Sequence, residues 1–195
     1  RLIYKIFFPI PKLFLPAGKS QRKHLMKYGV KCKKIKEVNM TVKVQEFMNF
    51  KENFAEKNKI KTRKKFQITE KSILFLFVGR LIKEKGIDLF VKSFKKALKT
   101  NKKIHLLIVG GGPLFNDLKN SIRGYSNISL AGPLYEQDLL ETYSSADIFV
   151  LPSIVEPWGL VINEAMASSL PLLVNRNVGC IDDLIFDKEN GIIFD

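Results

Sequence analysis

From Ile73 onward the chain repeats one pattern: a short apolar run, a turn, then a stretch whose apolar residues recur at helical spacing. Ile73–Val78 and Ile148–Leu151 contain no polar residue, and Ile104–Val109 contains only His105. Strands without polar alternation are buried on both faces, the condition of a parallel sheet covered by helices. Between the first two runs, Ile87, Phe90, Val91, Phe94 and Leu98 share one helical face. Shorter strands are predicted at Ile128–Ala131, Leu172–Val174 and Ile192–Phe194. Helices are predicted at Leu114–Arg123, Gln137–Ser144, Gly159–Ser168 and Asp182–Phe186. Strict alternation with short loops predicts an α/β fold, a doubly wound parallel sheet over residues 71–195.

The region before Ser72 is less regular. Arg1–Leu15 is apolar and basic, and Pro9 and Pro11 prevent a long helix. Lys12–Leu15 reads as a short buried strand, and Ser20–Tyr28 as a helix stopped by Gly29. Residues 35–70 are Lys-rich and weakly periodic, which predicts a connector between two domains. Both chain ends look cut, so the expectation is a piece of a longer protein. No run of about 18 apolar residues appears, which argues against a membrane-spanning helix.

Charge is divided unevenly. Residues 1–103 hold 29 Lys/Arg against 7 Asp/Glu, whereas residues 104–195 hold 4 against 12. Such a basic half suits nucleic acid, an anionic membrane surface or an anionic substrate, or simply solvated Lys-rich faces. No zinc-finger spacing, RNA-binding strand pattern or helix-turn-helix supports nucleic acid. Aromatic residues interleaved with Lys in Leu2–Phe14 fit a peripheral contact with an anionic membrane better. Two cysteines, Cys32 and Cys180, form neither a disulfide framework nor a metal-ligand spacing, which fits a reducing, cytoplasmic compartment.

Four motifs sit where predicted strands end. Pro152–Ala167 carries Glu156 in a loop and Glu164 in the second turn of the following helix. The amides of Trp158, Gly159 and Leu160 start that helix, where backbone N–H groups and the helix dipole favour an anion. A carboxylate accepts two hydrogen bonds and so suits a vicinal diol such as ribose. Arg80 and Lys85 follow the first strand and could hold a diphosphate, or could belong to a solvated loop. Gly110-Gly111-Gly112-Pro113 allows close approach of a ligand to backbone, although a tight strand-to-helix turn explains it equally well. Pro16–Ser20 ends like a phosphate-binding P-loop, but the pattern needs glycine where Leu13 stands, so that reading is rejected. His24 and His105 have no catalytic or metal-binding partner pattern.

Taken in order, Phe77-Val78-Gly79-Arg80-Leu81 with Lys85-Gly86, then Gly110–Leu114, then Glu156–Val161 with Glu164-Ala165-Met166-Ala167, resemble the family-4 (group 1) retaining glycosyltransferases. The resemblance covers residues 72–195 well and residues 15–50 more weakly. It implies the Rossmann-like C-terminal half of a GT-B fold, preceded by the end of an N-terminal acceptor domain (1–34). It further implies a nucleotide-sugar donor and a glycan or lipid-linked acceptor, with neither divalent metal nor covalent cofactor. By the resemblance Arg80 and Lys85 would stabilise the departing diphosphate, Glu156 would contact the sugar, and Glu164 the ribose. The base would lie near Gly132-Pro133-Leu134. Ser169, Asn177–Cys180 and Asp182-Asp183 depart from the family pattern, which leaves the donor sugar open. A non-catalytic or epimerase-like nucleotide-sugar-binding protein of the same fold is the alternative.

Overall fold

The structure is a computed structural model and describes residues 7–195, so the part of Arg1–Leu15 and of its membrane reading that precedes Phe7 lies outside the described residues. Six strands form one sheet: β1 (Ile73–Val78), β2 (Ile104–Val109), β3 (Ile128–Gly132), β4 (Ile148–Leu151), β5 (Leu172–Asn175) and β6 (Gly191–Phe194). Their order is β3-β2-β1-β4-β5-β6, and every neighbouring pair is parallel. The helices are α1 (Lys19–Lys27), α2 (Val44–Lys65), α3 (Ile87–Thr100), α4 (Phe115–Ser121), α5 (Glu136–Ser145), α6 (Leu160–Ala167) and α7 (Ile181–Leu184). This is the doubly wound, Rossmann-like sheet that the alternation predicts.

The core explains why those runs are so apolar. Leu74, Leu76, Phe77, Leu106, Leu107 and Ile108 are wholly buried, as central strands covered on both faces must be. The predicted face of α3 is buried through Ile87, Val91, Phe94 and Leu98. Removing any one of these large side chains would cost about 2–5 kcal/mol.

The segment 35–70 holds a long helix that periodicity did not predict. Within it α2 runs for 22 residues and packs along α5 and α6. Its buried positions explain why periodicity missed it: alongside Phe47 they include Asn58, Thr62 and Arg63. The Asn58 amide donates to Ser144 Oγ at 2.8 Å. Arg63 donates to the carbonyls of Thr69 and Ser72 and to Asp147 at 2.8, 2.9 and 2.9 Å. A helix docked through polar groups leaves no apolar stripe in the sequence.

Ion pairs between the two halves account for part of the charge asymmetry. Lys23–Asp182, Lys59–Asp147, Lys61–Glu141, Arg63–Asp147, Lys65–Asp138 and Lys85–Glu156 each join the basic half to the acidic half. The imbalance is thus partly satisfied inside the molecule.

Lys12–Leu15 also differs from expectation. Phe14 makes one parallel bridge to Ile35, but Leu13 and Leu15 are exposed rather than buried. Among the described residues no helix is long and apolar enough to cross a membrane.

Candidate functional site at the sheet switch point

Outward from β1 the chain proceeds to β2 and β3, and outward from β4 to β5 and β6. The winding therefore reverses between β1 and β4, and the loops after these two strands part in opposite directions. In open α/β sheets that crevice, at the carboxyl ends of the strands, is where ligands bind. Arg80 and Lys85 follow β1 there, and Glu156 follows β4.

The two loops are tied together. The backbone N–H groups of Ile154 and Val155 both donate to the Glu84 carbonyl, at 2.8 and 3.1 Å. Lys85 Nζ donates to Glu156 Oε2, and the pair is largely buried, with 17% and 10% of the side chains exposed. Arg80 is exposed, and its guanidinium has no hydrogen-bond or ion-pair partner among the described residues. One fixed cation–carboxylate pair and one uncommitted cation thus share the crevice.

The triple-glycine turn after β2 has divided roles. A Cβ on Gly110 would lie 1.9 Å from the Gly79 carbonyl oxygen, and Gly110 has φ +138°. Gly112, at φ +149°, is crowded too, with the Leu81 carbonyl oxygen 2.7 Å from the place of a Cβ. These two glycines let the β2 loop lie flat on the β1 loop, where Leu81 N–H donates to Gly111 O at 2.9 Å. Gly111 is different. A Cβ there would meet only the Pro133 ring, at 3.8 Å. Close packing thus requires Gly110 and Gly112, while Gly111 stands beside Gly132-Pro133-Leu134. Leu134 itself packs partly against the core.

Beyond β4 the helix begins at Leu160, with Gly159 as its left-handed N-cap at φ +94°. The N–H groups of Trp158, Gly159 and Leu160 have no hydrogen-bond partner among the described residues. The Trp158 indole, however, is only 4% exposed, and it donates to Asn163 Oδ1 at 3.2 Å. It is a packing residue of the loop rather than an open ligand wall.

Glu164 lies in the second turn of α6, half-buried, and its Oε2 accepts a 2.6 Å hydrogen bond from the Tyr143 hydroxyl. Burial raises the Glu164 carboxyl above its ordinary range, and the Tyr143 hydrogen bond works against that rise. Tyr143 was not among the residues the sequence singled out. The available signal was its place with Leu139 and Leu140 on the inward face of α5, since a buried phenol needs an acceptor.

The N-terminal segment also reaches this edge. Asp183 accepts the Lys19 N–H through both carboxylate oxygens, at 3.2 and 3.0 Å, so it caps the start of α1. Lys23 pairs with Asp182 at 2.6 Å. A cleft of about 710 Å³ opens between the two parts, lined among others by Phe14, Pro16, Gln21, Leu25, Glu156 and Asn177. Glu156 therefore faces a space bounded on its far side by the N-terminal segment.

The sequence model of the family described as "Glycosyl transferases group 1" matches residues 58–195. The chain belongs to the group 1 glycosyl transferases. An uncharacterized glycosyltransferase of Methanocaldococcus jannaschii is 32% identical over 143 residues, 72% of this chain and 36% of that protein. A glycogen synthase of Flavobacterium johnsoniae is 34% identical over 156 residues, 74% of this chain and 32% of that protein. Among solved structures, a glycosyltransferase from Rickettsia africae superposes with a TM-score of 0.84 at 20% identity, covering 99% of this chain and 52% of that one. HepE of Anabaena, in complex with UDP and glucose, gives 0.80 at 15% identity, covering 100% and 52%. The fold is that of GT-B glycosyltransferase structures. This group 1 chain spans about a third of the curated relatives' length and about half of the solved ones.

Proposed function

We propose that the whole protein is a retaining, metal-independent glycosyltransferase of family 4 and that this chain carries its donor-binding half. The observation that carries the reading is the Lys85–Glu156 pair at the switch point with Arg80 exposed beside it. The donor is a nucleotide-diphosphate sugar, a class in keeping with the HepE structures holding UDP, UDP with glucose, and UDP-glucose. Arg80 and Lys85 meet the diphosphate, joined by the open amides of Trp158, Gly159 and Leu160. Gly110 and Gly111 keep the floor low enough for the ligand to approach backbone, and Leu134 bounds the base. Glu164 takes the ribose hydroxyls, and Glu156 contacts the sugar.

In the reaction the bond from the sugar's anomeric carbon to the diphosphate oxygen breaks, and the diphosphate leaves with the electron pair. The acceptor hydroxyl attacks on the same face, its oxygen bonding to the anomeric carbon and its proton passing to the departing diphosphate oxygen, which keeps the configuration. Positive charge already in place at the leaving group supplies the stabilisation, and losing one such donor costs about 10²–10³ in rate.

The acceptor is a polysaccharide or glycolipid. Relatives of both kinds support this breadth, including the glycogen synthase and an α-monoglucosyldiacylglycerol synthase of Streptococcus pneumoniae, 29% identical. A cytoplasmic protein with a peripheral membrane contact fits the exposed Phe7, Ile10, Leu13 and Leu15 among lysines. The chain alone binds nucleotide diphosphate but transfers sugar slowly or not at all.

The test is a thermal-shift series with UDP, ADP, GDP and their sugars. A ligand at 100 times its Kd stabilises by about 2.7 kcal/mol, roughly 5–10 °C for a chain this long. The shift should disappear in Arg80→Ala and in Glu164→Ala. Silence toward every nucleotide, or an unchanged shift in both variants, would reject the reading.

A further inference from the structure

We propose that Tyr143 is a positioning residue for Glu164, holding one carboxylate oxygen so that the remaining acceptor sites are set in advance for a ribose diol. The inference rests on the proposed donor site and adds to it a residue that touches no substrate.

Tyr143 is wholly buried on α5. Its ring stacks on Phe149 of β4 at 5.7 Å and 24°, and meets Phe47 of α2 edge-on at 5.4 Å and 87°. Two aromatic neighbours on different elements leave the ring one orientation, which aims the hydroxyl at one point. Glu164 Oε2 occupies that point, at 2.6 Å.

Packing does not account for the oxygen. Phenylalanine would fill the same space without desolvating a hydroxyl, and an unpartnered buried hydroxyl is costly. Among the described residues the hydroxyl makes no other hydrogen bond, so its contribution passes through Glu164.

For Glu164 the consequence is a fixed carboxylate plane. A free glutamate must lose the freedom of several torsions when it binds, and that loss weakens affinity. Here one lone pair of Oε2 is engaged by Tyr143, while Oε1 has no hydrogen-bond partner among the described residues and is not sealed from solvent. The phenol also favours the charged form that burial disfavours. A pair of neighbouring ribose hydroxyls, each a donor, matches what is left.

The experiment is calorimetric titration of the chain with UDP, ADP and GDP and with their 2′,3′-dideoxy counterparts. Wild type should prefer the ribose form of the nucleotide it binds. Tyr143→Phe should lower affinity for the ribose form about 5–10-fold and leave the dideoxy form nearly unchanged, so the preference shrinks. Glu164→Gln, which keeps an acceptor for Tyr143 but replaces the other carboxylate oxygen with a donor, should shrink it too. An undiminished preference in Tyr143→Phe, or equal losses for both forms, overturns the positioning role while leaving the donor site standing. A wild type indifferent to the ribose hydroxyls overturns the placement of Glu164, and with it this proposal. Failure of every nucleotide to bind rejects the donor site itself.

Discussion

Lys85 and Glu156 form a buried ion pair across the loops that follow β1 and β4, although 71 positions separate them in sequence. The register brings them together: Phe75 pairs with Ile148 and Leu76 with Phe149, so the two strands end side by side. A pair so poorly exposed is hard to break on one side alone, because the surviving charge has lost its partner but not its burial. Lys85→Ala and Glu156→Ala should each destabilise the chain by about 2–4 kcal/mol in denaturant unfolding. The double variant Lys85→Met/Glu156→Gln should be more stable than the sum of the single losses, by about 1–3 kcal/mol. Strict additivity would show that the two charges do not depend on each other.

Gly110 and Gly111 should separate by their substitutions. Gly110→Ala forces a side chain into the Gly79 carbonyl at a positive φ, so a stability loss of at least about 1–3 kcal/mol is expected. Gly111→Ala meets only the edge of a proline ring and should change stability by less than about 1 kcal/mol. On the proposed function it should instead weaken nucleotide binding. Thermal unfolding and titration of the same two variants test both halves.

His105 supplies a pH signature. It is buried on β2 and hydrogen-bonded to Ser129 Oγ at 2.9 Å, and burial, helped by the charge of Arg63, pushes its pKa down to about 4. The unfolded imidazole takes a proton near pH 6.5 while the folded one stays neutral until about 4, so stability falls as pH drops through that window. Each unit is worth about 1.4 kcal/mol, which puts the loss at roughly 3–4 kcal/mol. In His105→Asn the unfolding free energy should fall less steeply than in wild type from pH 6.5 to 4. Parallel curves would remove His105 as the cause.

The cysteines should differ in reactivity. Cys32 is exposed, whereas Cys180 is wholly buried and burial pushes its thiol up to about 12. A thiol so rarely ionised and so inaccessible is inert. Alkylation of the native chain at neutral pH should label Cys32 alone, with Cys180 reacting only after denaturation. Peptide mass analysis reads the outcome.

Asp183 caps α1 from the opposite end of the chain. Asp183→Ala should cost about 0.5–2 kcal/mol, the usual value of a helix N-cap. It should also loosen Lys19–Lys27, visible as faster proteolysis there than in the sheet. Unchanged cleavage would mean that α1 is held by its other contacts.

Sequence alone determined the strands, their parallel arrangement and the loops that carry Arg80, Lys85, Glu156 and Glu164. Strands buried on both faces must be apolar throughout, and that requirement is written locally in runs such as Ile73–Val78. The helical face of α3 was legible for the same reason. Only the tertiary structure decided how α2 docks, because Asn58, Thr62 and Arg63 are satisfied by partners far along the chain that periodicity does not record. It also paired six cations of the basic half with carboxylates of the acidic half. The joining of Lys85 to Glu156 and of Tyr143 to Glu164 belongs to this second kind. Each depends on which strands lie side by side, and sheet order is a property of the whole chain rather than of any segment within it.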